Sequence, residues 1–176
     1  MTWKTHELAA LTAAFVYDSS LTTVIPAFFG AILPDVLDQR FSSLFSFTKK
    51  GRQRLFAAVH RGISHWFGLW LGLIWLSFLL DCSFAAQFVP PNCVHDVCLG
   101  LGLGALSHVF LDALTPQGVP LFPFLSTPRL TLSFCRTGSI GEYCLFLLLL
   151  FLFCFVSRSL WLPLLSSTPV FRWLSA

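Results

Sequence analysis

Charge is what this sequence has least of. Charged residues make up 11% of the 176 residues, against 56% hydrophobic, while soluble domains average about 25% charged. So little charge cannot cover a water-facing surface, which excludes a disordered chain, a coiled coil and an ordinary cytosolic enzyme. The net charge of +3 is too weak to argue for a nucleic-acid partner. No CxxC pair occurs among the six cysteines, and size and hydropathy exclude a disulfide-stapled miniprotein. There is no HExxH for a zinc protease and no GxSxG for a serine hydrolase.

What is present is apolar and aromatic. The mean hydropathy is +0.77, and the 20 Phe and 6 Trp fit lipid-facing helices and interfacial belts. At ~100–200 residues per domain the chain is one domain, residues 1–176. Five apolar segments stand out, at about 6–17, 21–33, 64–80, 97–114 and 143–162. All are expected to be helices, because an open strand cannot satisfy its backbone in lipid. The predicted fold is therefore all-α, a multipass membrane bundle of about five embedded helices. The first two are short: about 13 residues at ~1.5 Å each reach ~20 Å, against a ~30 Å hydrocarbon core. The stretch Leu8–Val16 loosely resembles a signal peptide, but Glu7 and Asp18 fit one poorly, and it is read as retained.

Basic residues set the expected orientation. Arg40, Lys49, Lys50, Arg52, Arg54 and Arg61 lie between segments two and three, Arg129 and Arg136 between four and five, and none within 81–96. The positive-inside rule places the two basic stretches in the cytoplasm and 81–96 outside. An outside loop would permit a Cys82–Cys93 disulfide. The Lys49–Arg54 run reads first as a topology determinant and an anionic-lipid contact. In segment four, Gly100 and Gly104 form a GxxxG pair that lets helices approach closely. The overlapping Gly100-x-Gly102-x-x-Ala105 lacks the strand and downstream acid of a dinucleotide site.

A chain with few polar residues near its helices keeps them for a reason. His6 opens segment one, and Asp35 and Asp38 follow segment two. His60-Arg61-Gly62-Ile63-Ser64-His65 opens segment three, and His108 and Asp112 close segment four. The orientation puts all of these at one membrane face, although the charge count made no use of His or Asp. His108 and Asp112 are i and i+4, on one helical face. His60 and His65 are about 140° apart on a straight helix, so a break at Gly62, with Ser64 as N-cap, is expected to turn both inward. Zinc takes about four ligands. Four histidines and three carboxylates therefore suffice for one or two ions, an arrangement suited to phosphoester hydrolysis. Arg61 is positioned to clamp a phosphate. His95 and Asp96 lie in the outer loop and read as surface. Singly, a His at a helix end is usually a cap or an interfacial residue, and Asp35 and Asp38 could be turn residues after Pro34.

These motifs resemble the membrane-bound metal-dependent hydrolase family, the YdjM-like proteins often labelled LexA-regulated. The matching residues are His6, Gly30 to Asp35, His60-Arg61-Gly62-Ile63-Ser64-His65, and Gly104-Ala105-Leu106-Ser107-His108-x-x-x-Asp112 with Thr115-Pro116-x-Gly118. They span 6–118, about two-thirds of the chain; 119–176 carries no matching motif. The family usually reads Pro-Asp-x-Asp, whereas here the second acid falls one residue later, at Asp38. More remotely, the family is similar to zinc-dependent phospholipases C and single-strand-specific zinc nucleases. The resemblance implies zinc on His6, Asp35, His60, His65, His108 and Asp112, with Arg61 and Asp38 in catalytic roles. It also implies phosphoester chemistry, with a membrane lipid as environment and substrate at the cytoplasmic interface. A metal or proton transporter and a non-enzymatic membrane scaffold are the alternatives. Depth argues against transport, since segments three to five lack charge at their centres.

Overall fold

The computed structural model describes residues 1–81, 91–123 and 128–166. It contains eight α-helices among the described residues: α1 Trp3–Tyr17, α2 Leu21–Gly30, α3 Leu33–Leu44, α4 Lys49–Val59, α5 Phe67–Asp81, α6 Pro91–Ala113, α7 Ile140–Val156 and α8 Arg158–Ser166. A 3₁₀ turn, Ile63–His65, precedes α5. A short antiparallel ribbon, β1 Val119–Pro120 and β2 Arg129–Leu130, pairs Val119 with Leu130 after α6. The chain is thus mostly helical.

Helix α6 is the axis, with α1, α2 and α5 packed around it and α7 against α1. Its 23 residues reach ~34 Å at ~1.5 Å per residue, enough to cross a bilayer. Among the described residues it contains the one helix long and apolar enough to do so alone, Cys93–Ala113; α2 and α3 qualify only together, bent by 49°. The apolar α5 and α7 are shorter, at 15 and 17 residues. All five expected segments are helical, and a single one meets the length of a span by itself. Cys82, the expected partner of Cys93, lies outside the described residues.

Small residues let α2 approach α6. A Cβ on Gly104 would sit 2.0 Å from the Ala27 carbonyl oxygen, and one on Gly100 would sit 2.3 Å from that of Thr23. The GxxxG pair therefore forms a backbone-to-backbone seam, the way helices attract where burial of apolar surface gives no advantage over lipid. Below it, Trp70, Ala105, Val109, Ala113 and Val119 form a buried cluster. Trp70 also donates its indole N–H to the Ser64 carbonyl, 2.7 Å away, joining α5 to the 3₁₀ turn.

The structure corrects three local expectations. Segment two ends at Gly30, and Pro34 sits in the first turn of α3 instead of closing α2, as its missing N–H allows. The basic stretch before segment three, where no helix was expected, contains two helices, α3 and α4; both are amphipathic and rich in polar residues, so a reading by apolar runs passed over them. Segment five breaks at Ser157 into α7 and α8.

Candidate metal centre

The centre grows from the C-terminal end of α6. His108 and Asp112 lie one turn apart, both almost fully buried, at 1% and 2% exposure. The His108 Nδ1 stands 2.6 Å from the Ala31 carbonyl oxygen at the α2–α3 bend. A carbonyl only accepts, so Nδ1 carries the hydrogen and the Nε2 lone pair of the neutral ring points away from it. That Nε2 faces Asp35 Oδ1 at 3.7 Å and Asp112 Oδ2 at 3.8 Å. From α1, His6 stacks on His108 with ring centroids 3.8 Å apart and places its Nε2 3.7 Å from Asp112 Oδ1.

The His60–His65 segment wraps around Asp38. His60 is the C-cap of α4, and Arg61 takes φ +60°, a left-handed conformation costing about 1–2 kcal/mol outside glycine. Four contacts hold it there. Its backbone N–H donates to Asp38 Oδ2 at 3.1 Å. Its guanidinium donates to Thr115 Oγ1 at 2.8 Å and the Gly118 carbonyl at 3.2 Å, and pairs with Asp112 Oδ2 at 3.0 Å. Ser64 Oγ donates to Asp38 Oδ1 at 2.5 Å, which leaves its lone pair for the His65 Nδ1 hydrogen at 3.0 Å. His60 Nδ1 lies 3.3 Å from Asp38 Oδ2. Asp38 therefore orients His65 from its Nδ1 side, through Ser64, as the carboxylates behind metal-ligating histidines do. His60 turns its Nδ1 to both Asp38 and Asp35, the latter at 3.7 Å.

His65 Nε2 then faces Asp35 Oδ1 at 3.4 Å and Asp112 Oδ2 at 3.6 Å. Burial opposes charge on this ring, but the carboxylates of Asp35, Asp38 and Asp112 outweigh it and raise the His65 pKa. The geometry tests whether a metal fits. His6 Nδ1, Asp35 Oδ1, His65 Nε2 and His108 Nε2 are buried atoms with no hydrogen-bond partner. Such atoms are costly, and imidazole lone pairs turned toward carboxylates repel unless a cation, proton or metal, lies between them. The separations of 3.4–3.8 Å are long for hydrogen bonds. They approach the ~3.3–3.6 Å edges of a tetrahedron whose ligands lie ~2.0–2.2 Å from the ion. Two groups have donor atoms within 4.8 Å of one another: His6, His108 and Asp112, and Asp35, His60 and His65. The donor set fits one or two divalent ions.

All six residues expected as ligands converge here. The other two expected site residues take different places. Asp38, read as catalytic, is buried and accepts from the Arg61 backbone N–H and from Ser64 Oγ, which sets it beside His60 and His65. Its shift by one residue from the family spacing is accommodated by α3, whose first turns place Asp35 and Asp38 on one side. Arg61, read as a phosphate clamp, turns Nη1 to Thr115 and Gly118 and Nη2 to Asp112, while its buried Nε has no hydrogen-bond partner among the described residues. Ser64, expected as an N-cap, serves Asp38 instead, and α5 begins only at Phe67. His95 is remote, against the Ser77 carbonyl. Sequence reasoning missed Glu142. It is buried at the start of α7 and accepts from the Thr2 and Gly138 backbone N–H groups, each at 2.6 Å, and from Thr5 Oγ1 at 3.1 Å. It thereby anchors the first turn of α1, which carries His6. The available signal was that Glu142 is the sole acid after Asp112 and opens an apolar run.

Helix architecture and site together define a membrane-type helical protein with a buried His/Asp cluster at one end of its central helix, capable of holding metal. The chain belongs to the YdjM inner membrane protein family, whose profile matches residues 1–170. It is also 33% identical over 149 residues, 81% of this chain and 85% of the relative, to the uncharacterized protein YvsG of Bacillus subtilis (strain 168). No solved structure matches it.

Proposed function

We propose that this chain is a multipass membrane hydrolase that uses one or two zinc ions to cleave a phospholipid or other lipid phosphoester at the cytoplasmic face. The observation that carries the reading is the convergence of six His and Asp donors from α1, α3, α6 and the 60–65 segment, with unpartnered buried lone pairs facing carboxylates. His6, His108 and Asp112 would hold one ion, and Asp35, His60 and His65 the other. Such ions polarise a phosphoryl oxygen and activate water for attack.

The chain's own residues prepare that centre. Ala31 and Asp38 fix the ring orientations of His108, His60 and His65. Arg61 balances the buried Asp112 charge. The centre is closed on the side of His6, His65 and His108 but open at Asp35 and His60, whose side chains are 22% and 29% exposed; substrate enters there. Exposed Trp75 and Phe78 on α5 and Leu147 and Phe151 on α7 suit contact with lipid, which supports embedding of these helices beside α6. Transport is disfavoured, because between Asp96 and His108 α6 holds no titratable residue except Cys98, and the described middles of α5 and α7 hold no charge.

The test is elemental mass spectrometry of the detergent-purified protein beside a His108→Ala, Asp112→Ala double variant. One or two zinc per chain, lost in the variant, is expected. No metal in either sample after zinc supplementation refutes the reading.

A further inference from the structure

Beside the centre lies a cleft of about 480 Å³ between α3 and α4, its walls including Asp35, Gln39, Lys49, Arg52, Gln53 and Phe56. This is the size of a small-molecule site. It opens from the candidate ligand Asp35, and Phe56 stacks on His60 with ring centroids 4.7 Å apart, so the cleft adjoins the accessible side of the centre. Its cations are free. Among the described residues neither Lys49 nor Arg52 has an ion-pair partner, and both side chains are exposed. Arg61, by contrast, has two of its nitrogens committed to protein groups.

The basic run on α4 is divided by helical geometry. At about 100° per residue, Lys49, Arg52, Gln53 and Phe56 share the cleft face, while Lys50 and Arg54 point to the adjacent side. We infer that the α3–α4 cleft is the anion subsite of the centre, where Lys49 and Arg52 bind the phosphate of a phosphoester and Gln39 and Gln53 offer hydrogen bonds to its polar headgroup. This rests on the hydrolase reading, since ions at the centre offset the Asp35 charge that otherwise opposes an anion. The phosphate contact expected of Arg61 passes to these two residues.

The experiment is a ³¹P NMR titration of zinc-supplemented protein in detergent. The probes are phosphatidylglycerol doped into the micelles and, separately, glycerol 1-phosphate in the buffer. Wild type is compared with Lys49→Gln, Arg52→Gln and with Lys50→Gln, Arg54→Gln, and zinc content is measured on each sample. Loss of two charge-assisted contacts should weaken binding at least about tenfold in the first double variant. The second should bind like wild type, with zinc content equal in all three. Binding of the doped lipid alone identifies a membrane headgroup, and saturation by glycerol 1-phosphate identifies a free phosphoester; either supports the subsite. Equal losses in both double variants, no loss in the first, or no binding of either probe by wild type overturns it. Wild-type protein that takes up no zinc after supplementation yet binds either probe through Lys49 and Arg52 refutes the metal-hydrolase reading, and with it the cleft's role as a subsite of a metal centre, leaving an anion site that needs no metal.

Discussion

Replacing Gly104 by alanine should damage the metal centre without touching a ligand. The new Cβ would lie 2.0 Å from the Ala27 carbonyl oxygen and 2.9 Å from both the Ala27 carbonyl carbon and the Ala31 nitrogen. All three are backbone atoms of α2 or the bend after it, so no side chain can swing away. Restoring ordinary contact at ~3.4 Å means separating α2 from α6 by roughly 1.4 Å, a form of overpacking that typically costs about 1–3 kcal/mol. The same shift lengthens the 2.6 Å contact from His108 to the Ala31 carbonyl beyond hydrogen-bond range. It also moves Asp35, just past the bend, away from His108. Loss of such an orienting partner typically lowers metal affinity about 10–100-fold. The control is Gly72→Ala, because a Cβ there meets nothing within 4 Å; alanine's higher helix propensity, about 1 kcal/mol, makes it neutral or mildly stabilising. Thermal unfolding in detergent and zinc competition against a chelator would read both effects. A Gly104→Ala protein with wild-type melting temperature and zinc affinity would show that the α2–α6 seam does not set the site.

Other perturbations separate positioning from chemistry. Asp38→Asn should lower zinc affinity by about 10–100-fold by loosening His60 and His65, measured by chelator competition; unchanged affinity with lost turnover would instead make Asp38 a catalytic acid or base. The raised His65 pKa predicts proton release on zinc binding at pH values below it, since the ligating imidazole must be neutral. Affinity should therefore fall about tenfold per pH unit below the His65 pKa and level off above it; calorimetry in buffers of different ionisation enthalpy counts the proton, and a buffer-independent heat contradicts the assignment. Glu142→Gln replaces an oxygen that accepts from Thr2, Thr5 or Gly138 with a donor, and should cost about 1–3 kcal/mol. It should also weaken zinc binding through His6, and an unaltered melting temperature would refute the anchoring role.

Much of this protein can be read without coordinates. Scarcity of charge implies lipid, the apolar runs mark α1, α2, α5, α6 and α7, and the i, i+4 spacing places His108 and Asp112 on one face. Basic loops align His6, Asp35, His60, His65, His108 and Asp112 at one end of the helices before any contact is known. These are local or additive properties, readable because lipid leaves the backbone few alternatives to helix. The contacts of Asp38 and Arg61 were not readable. Both side chains suit either catalysis or support, and the choice depends on what lies opposite. Asp38 meets the backbone of Arg61 and the hydroxyl of Ser64, from residues 23 and 26 positions away, and Arg61 meets Asp112 and Thr115, 51 and 54 positions away. Nor does the sequence alone divide the Lys49–Arg54 run, because the α3–α4 cleft exists only once α3 packs on α4. Composition and spacing determined the class of the protein and the residue types gathered in its candidate centre. Tertiary packing decided which polar groups gather into a cluster that could hold a metal and which hold the others in place, because a hydrogen bond is assigned by its partner.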